Sequence, residues 1–139
     1  MNYDSINNNT NDNPQVYSKP STKGNYRKTT QLFSTTLDNY SINIPNDFLY
    51  DGASIPRVFW AITGGSFYSL YDTPACVHDY LYRDNSGPNK DVTRKEADVI
   101  FKRLLQRNGV SRFKSKLFYL SVRVFGAFSW KKKRVDWDV

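Results

Sequence analysis

The sequence predicts an α+β domain: an N-terminal β-hairpin packed on a three-helix unit, preceded by a flexible N-terminal arm. Three observations predict it. Tyr40, Ile42 and Ile44 alternate with polar residues, the period of a half-buried strand. Thr93-Arg94-Lys95-Glu96 is a capping box ahead of an apolar stripe at three/four spacing. A long amphipathic run then follows from Ser111 to Trp130.

Residues 1–25 are rich in Asn, Ser, Thr, Pro and Lys and nearly free of aliphatic side chains. Such a segment buries too little apolar area to offset its ordering entropy, so it is expected to be an arm that engages a partner, not its own domain. A single domain is expected over residues 26–130. Thr29 to Thr36 reads as the first strand of the hairpin, Leu37-Asp38-Asn39 as its turn and Tyr40 to Ile44 as its second strand. Pro45-Asn46-Asp47 turns the chain into the short apolar run Phe48-Leu49-Tyr50. Asp51-Gly52-Ala53-Ser54-Ile55-Pro56 is a tight loop carrying a carboxylate.

The first helix is expected to open at Asp72 or Thr73, with Pro74 in the first turn, and to stop at Asn85-Ser86-Gly87-Pro88. Ala75, His78 and Tyr82 share one stripe of it, and Asp79 points about 100° away from His78. The second helix places Ala97, Ile100, Phe101 and Leu104 on its buried face, carries Asp98 on the shoulder and closes at Asn108-Gly109. The third is expected to bury Phe113, Leu117, Leu120, Val124 and Phe128. Residues 131–139 form a basic tail opening with Lys131-Lys132-Lys133-Arg134.

The 139 residues carry a formal net charge of +7, which favours anionic partners: a phospholipid surface, nucleic acid or an acidic protein face. From Arg94 onward thirteen basic residues stand against four acidic ones, so the charge is concentrated in the helical half. One cysteine excludes an internal disulfide and a cysteine-based zinc cluster. No apolar run reaches the roughly 18–20 residues of a spanning helix. The opening residues lack the apolar core of a signal peptide, so a virion or the host cytoplasm is the expected location. No phosphate-cradling P-loop is present, and neither Gly52-Ala53-Ser54 nor Gly65-Ser66 completes a serine-hydrolase elbow. What remains is His78, the only histidine, with three carboxylates, Asp51, Asp79 and Asp98. Each has a plain structural alternative: a core histidine, a turn, a solvated helix shoulder.

The string Asp51-Gly52-Ala53-Ser54-Ile55-Pro56-Arg57, with Phe59-Trp60, His78-Asp79-Tyr80-Leu81-Tyr82 and Ala97-Asp98 with Phe101, resembles a domain family of unknown function from tailed-phage and prophage genomes. That resemblance implies a phage origin and no particular activity. More locally, His78-Asp79 with Tyr82 three residues after the aspartate, and Asp98 on the next helix, resembles the helix pair of secreted calcium-dependent phospholipases. The likeness implies His78 as the general base that activates water and Asp98 as the group that orients it. It implies Asp79 and Asp51 as calcium ligands. The disulfides of those enzymes are absent here. The expected function is therefore a virion-associated or lysis-phase protein with a phospholipase-like site, acting on host envelope lipid. A structural virion protein of the tail, neck or baseplate, binding other virion proteins through its arm, is the alternative. A nucleic-acid-binding accessory protein is a third, suggested by charge alone.

Overall fold

The computed structural model describes residues 13–22, 26–37, 39–50, 69–83, 92–128 and 130. Five short strands precede three helices. They are β1 (Ser18–Pro20), β2 (Arg27–Thr29), β3 (Phe33–Leu37), β4 (Tyr40–Ile44) and β5 (Leu49–Tyr50), then α1 (Ser69–Arg83), α2 (Arg94–Arg107) and α3 (Arg112–Phe125). A 3-10 turn, Gly126–Phe128, closes the last helix. The α+β class and the hairpin-plus-three-helix order are as the sequence predicts.

The hairpin is β3–β4, antiparallel, with Phe33 opposite Ile44 and Leu37 opposite Tyr40. Its inward residues Phe33, Ile42 and Ile44 are buried, which is the period-2 pattern at work. The strand expected from Thr29 to Thr36 is interrupted, because β2 ends at Thr29 and joins a separate sheet in the order β1-β2-β5. Thr29 makes the break. Its buried hydroxyl donates to Pro45 O at 2.8 Å and accepts from Phe48 N at 2.8 Å, binding the strand end to the following turn.

Residues 13–22 correct the expectation of an arm with few contacts to its own domain. β1 pairs with β2 from Ser18–Thr29 to Pro20–Arg27, and Val16 joins the core cluster. The Val16 amide donates to Thr73 Oγ1 at 2.9 Å, and Thr73 in turn donates to Gln15 Oε1 at 2.8 Å. Arg107 reaches Asn13 Oδ1, Thr36 O and Thr35 Oγ1. Polar side chains and backbone pairing hold this stretch, so its low aliphatic content was a poor guide. Residues 1–12 and 131–139 lie outside the described set.

α1 is the central element. Ala75, Cys76, Val77, His78, Asp79, Leu81, Tyr82 and Arg83 are all buried, so the helix is covered on most of its circumference by the strands and α2. It begins at Ser69, a turn earlier than expected, and Pro74 lies inside it. A proline there removes the N–H that would meet the carbonyl four residues back. That carbonyl, Leu70 O, accepts instead from Asn108 Nδ2 at 2.9 Å. Asn108 is also the cap of α2, followed by Gly109 at φ 96. Gly109 N to Gln106 O and Val110 N to Leu105 O, both 3.0 Å, complete the left-handed helix stop. The α2 start is the predicted capping box, with Thr93 and Glu96 exchanging bonds. The Tyr40 hydroxyl also donates to Glu96, and this bond, with those from Thr93, holds the Glu96 carboxyl below its usual range.

α3 overturns the expected buried stripe. Ser115, Phe118, Ser121 and Val122 face the core, whereas Phe113, Leu120 and Val124 are exposed and Leu117 is half-buried. Small serines let α3 approach its neighbours closely, and Phe118 fills the gap against Tyr71 and Phe101. A helix with apolar residues on two faces defeats a stripe argument, and here the less hydrophobic face won. The Phe128 side chain lies outside the described set.

If residues 13–22 are part of the domain, Val16→Ala lowers stability by roughly 1–3 kcal/mol, the range of a truncated core side chain. Urea unfolding measures it; an unchanged midpoint would return this stretch to the status of a loose arm.

Candidate functional site

His78 and Asp98 meet. They lie twenty positions apart on adjacent helices, and the Nε2 atom of His78 is 2.7 Å from Asp98 Oδ1. The reason is local. α1 directs His78 and Tyr82, four residues apart, along one stripe toward α2. The capping box fixes the start of α2, so Asp98 falls one turn in, facing that stripe. The Tyr82 hydroxyl donates to the same oxygen, Asp98 Oδ1, at 2.6 Å. The His78 ring packs against Tyr82 and Phe101, with centroids 4.2 and 4.8 Å away.

The second oxygen of Asp98 belongs to arginines. Arg123 NH1 on α3 donates to Oδ2 at 2.8 Å, and Arg94 NH1, one turn back on α2, lies 3.7 Å from it. Arg94 also donates to Val122 O and Arg123 O, each at 3.2 Å, in the last turn of α3, where Val122 O accepts from Gly126 N as well. Sequence reasoning missed both arginines. Arg94 was legible as the residue four before Asp98 on a helix. Arg123 looked like one cation among several on a solvated face.

Asp98 is 0% exposed and His78 3% exposed. Burial by itself would raise the Asp98 carboxyl. The bonds and charge of His78, then Tyr82 and Arg123, outweigh it and hold the group below the usual carboxylate value. The Tyr82 phenol is pushed up, first by burial and then by the adjacent carboxylate, so it stays a donor. An ionised Asp98 accepts from His78 Nε2–H, and in the neutral ring that tautomer leaves the lone pair on Nδ1. The arrangement therefore fixes the orientation of the imidazole ring.

Asp79 turns away from this cluster, as its helical position requires. It is buried, and Arg83 NH2 lies 3.8 Å from its Oδ2. Arg83 is itself fixed by donating to Leu49 O at 2.7 Å and by lying over the Tyr26 and Phe48 rings. Asp51, the other expected calcium ligand, lies outside the described residues. Among the described residues no group of three or more His, Cys, Asp or Glu side chains is placed to hold a metal ion. Asp79 alone does not make a calcium site, and a guanidinium already supplies it with positive charge. Cys76 is fully buried, and burial, then Asp79 and Asp72, push its thiol well above the ordinary value, so it has no thiolate to offer.

A second polar cluster lies at the other end of α1. The Tyr50 hydroxyl donates to Asp72 Oδ1 at 2.6 Å and is 2.9 Å from Ser18 Oγ. Burial raises the Tyr50 phenol, with Cys76 and Asp72 adding to it, so it remains protonated and serves as a tie between sheet and helix.

A family described as a protein of unknown function (DUF1353) matches residues 28–122. An uncharacterized protein, y4jT, of Sinorhizobium fredii (strain NBRC 101917 / NGR234) is 35% identical over 83 residues, 60% of this chain. The matched part is 23% of that protein, so the chain spans under a quarter of the length of this relative. No solved structure matches the chain.

Two predictions test the cluster. Because the folded Asp98 carboxyl is held below its usual value, its contribution to stability is fully present above that value and lost as the pH falls through the folded one. Asp98→Asn should cost about 3–5 kcal/mol at neutral pH, by leaving Arg123 and Arg94 without their anion. The gap between the variant and the wild type should narrow as the pH drops below about 4; a gap independent of pH would mean that the charge plays no part. Gly126 abuts Tyr82 so closely that an added Cβ would lie 2.5 Å from the Tyr82 hydroxyl. Gly126→Ala should therefore cost roughly 1–3 kcal/mol and displace Tyr82 from Asp98, visible as altered tyrosine fluorescence or NMR shifts.

Proposed function

The chain belongs to the DUF1353 family of proteins of unknown function, and we propose that it is a phage-encoded, virion-associated or lysis-phase protein whose His78–Asp98 pair hydrolyses an ester of host envelope lipid. One observation carries the reading: a single Asp98 oxygen accepts from both His78 Nε2 and Tyr82 OH. A carboxylate so fixed sets the tautomer and the plane of the imidazole, which a general base requires and a core histidine does not. His78-Asp79 with Tyr82 three residues on, and Asp98 on the next helix, resembles the phospholipase helix pair, and the phage origin rests on the motif resemblance described above.

In this reaction His78 Nδ1 takes a proton from water as the oxygen attacks the ester carbonyl. The same proton then passes to the departing alkoxide, and acid and alcohol are released. Asp98 holds the ring in place and offsets the charge that develops on it. Tyr82 and Arg123 keep Asp98 from rotating. Among the described residues no group of three or more His, Cys, Asp or Glu side chains is placed to hold calcium. For calcium to bind at Asp79, Arg83 would have to leave it.

A second reading has its own support. His78 and Asp98 are buried, and two arginines share the carboxylate, as in a cluster kept to lock three helices together. On that reading the chain is a structural virion protein binding other virion proteins. Residues 13–22 are occupied within the domain, which leaves residues 1–12 and 23–25 of the expected arm for such a contact. Binding of nucleic acid has only the net charge behind it.

Fatty-acid release from phosphatidylglycerol vesicles, measured with millimolar calcium and with chelator, separates the readings. The hydrolase reading expects release by the wild type and a loss of about 100-fold or more in His78→Ala. It expects Asp79→Asn to abolish any calcium dependence while the fold persists. Absence of release under both conditions, with the protein folded, leaves the structural reading.

A further inference from the structure

The face of α3 that the sequence marks as core is turned to solvent. Phe113 is 72% exposed, Leu120 47% and Val124 65%, with Leu117 half-buried between them. At about 100° per residue these four fall within roughly 60° of arc, and the ridge lies nearly opposite the buried Ser115, Phe118 and Val122. It is continuous over three turns, longer than the scattered apolar residues of an ordinary surface.

Charge decides what it fits. Lys114 flanks the ridge on one side and Lys116 and Arg112 on the other, all exposed and without an ion pair among the described residues. α3 contains no acidic residue. Beside it on α2, Lys102 lies over the Tyr119 ring, 4.9 Å from the centroid, adding a further cation. A second copy of the chain packed ridge to ridge would bring these cations against their own copies with no carboxylate from α3 between them. A nucleic-acid backbone would meet the cations but leave the ridge without apolar cover. A bilayer surface with anionic headgroups satisfies both parts: acyl chains receive the ridge, and phosphates receive the flanking lysines.

We propose that the outer face of α3 is a docking surface for anionic phospholipid membrane, with the helix lying in the plane of the interface. The proposal rests on the lipid-directed reading of the His78 site for its biological sense, and names the surface on which that substrate would be met. It does not need the site to be active.

The test uses the full chain and sedimentation with vesicles of ether-linked phosphatidylglycerol or ether-linked phosphatidylcholine, neither of which can undergo ester hydrolysis. Expected are binding to the anionic vesicles at least tenfold tighter than to the zwitterionic ones and a further tenfold loss in L120S/V124S. K114Q/K116Q should lower the preference for anionic lipid. Both variants alter exposed positions, and an unchanged melting temperature verifies that they fold. The proposal is overturned if anionic vesicles are not bound or are bound equally well by L120S/V124S. It is also overturned if the ridge variant instead dissolves a dimer, or if only DNA is retained, in a manner sensitive to Lys114 and Lys116. Vesicle binding without hydrolysis of ester-linked lipid would sink the hydrolase reading and keep the docking face. Hydrolysis of a soluble short-chain ester without vesicle binding would do the reverse.

Discussion

A carboxylate with no exposed surface organises the helical half of this protein. Burying an isolated anion costs many kcal/mol, so Asp98 can exist at the centre of the bundle only with its oxygens filled. Each neighbour supplies part of what it needs. α1 brings His78 and Tyr82 to one oxygen; α3 brings Arg123, and α2 its own Arg94, to the other. The three helices are therefore tied at one point, and their register is fixed by donors that must all arrive. Pairs of this kind add little net stability over an apolar replacement but are costly to break singly. Their contribution here is to geometry: the imidazole has one orientation.

That geometry bears on chemistry in two opposed ways. A base works best when its tautomer is imposed, and Asp98 imposes it. Burial, on the other hand, limits the approach of water to the ring. The same holds for Asp79, whose charge is met by Arg83, a residue also bonded to Leu49 and lying over two aromatic rings. In the described residues the helix pair combines an oriented imidazole with a locked, cation-paired second carboxylate.

Much of this was legible in the sequence, for reasons that can be named. The capping box at Thr93 fixes where α2 starts to within a residue, and that placement alone puts Asp98 opposite a stripe containing His78 and Tyr82. Alternation at Ile42 and Ile44 fixed the hairpin in the same way. The failures share a cause, which is interaction between distant parts of the chain. Val16 and Gln15 look like linker residues until Thr73 offers them a partner. The face of α3 could not be chosen from hydrophobicity, because the buried side is built on Ser115 and Ser121 and the apolar ridge points outward. Arg123 was indistinguishable from Lys116 by composition, though one closes the buried cluster and the other is exposed.

Asp98 fixes the neutral His78 imidazole as its Nε2–H tautomer. His78 is the only histidine, so nitrogen-15 spectra of labelled protein report on this ring alone. Expected for the neutral ring are a proton on Nε2 and a bare Nδ1, with that preference lost in Asp98→Asn. A neutral wild-type ring protonated on Nδ1 in place of Nε2 would contradict it.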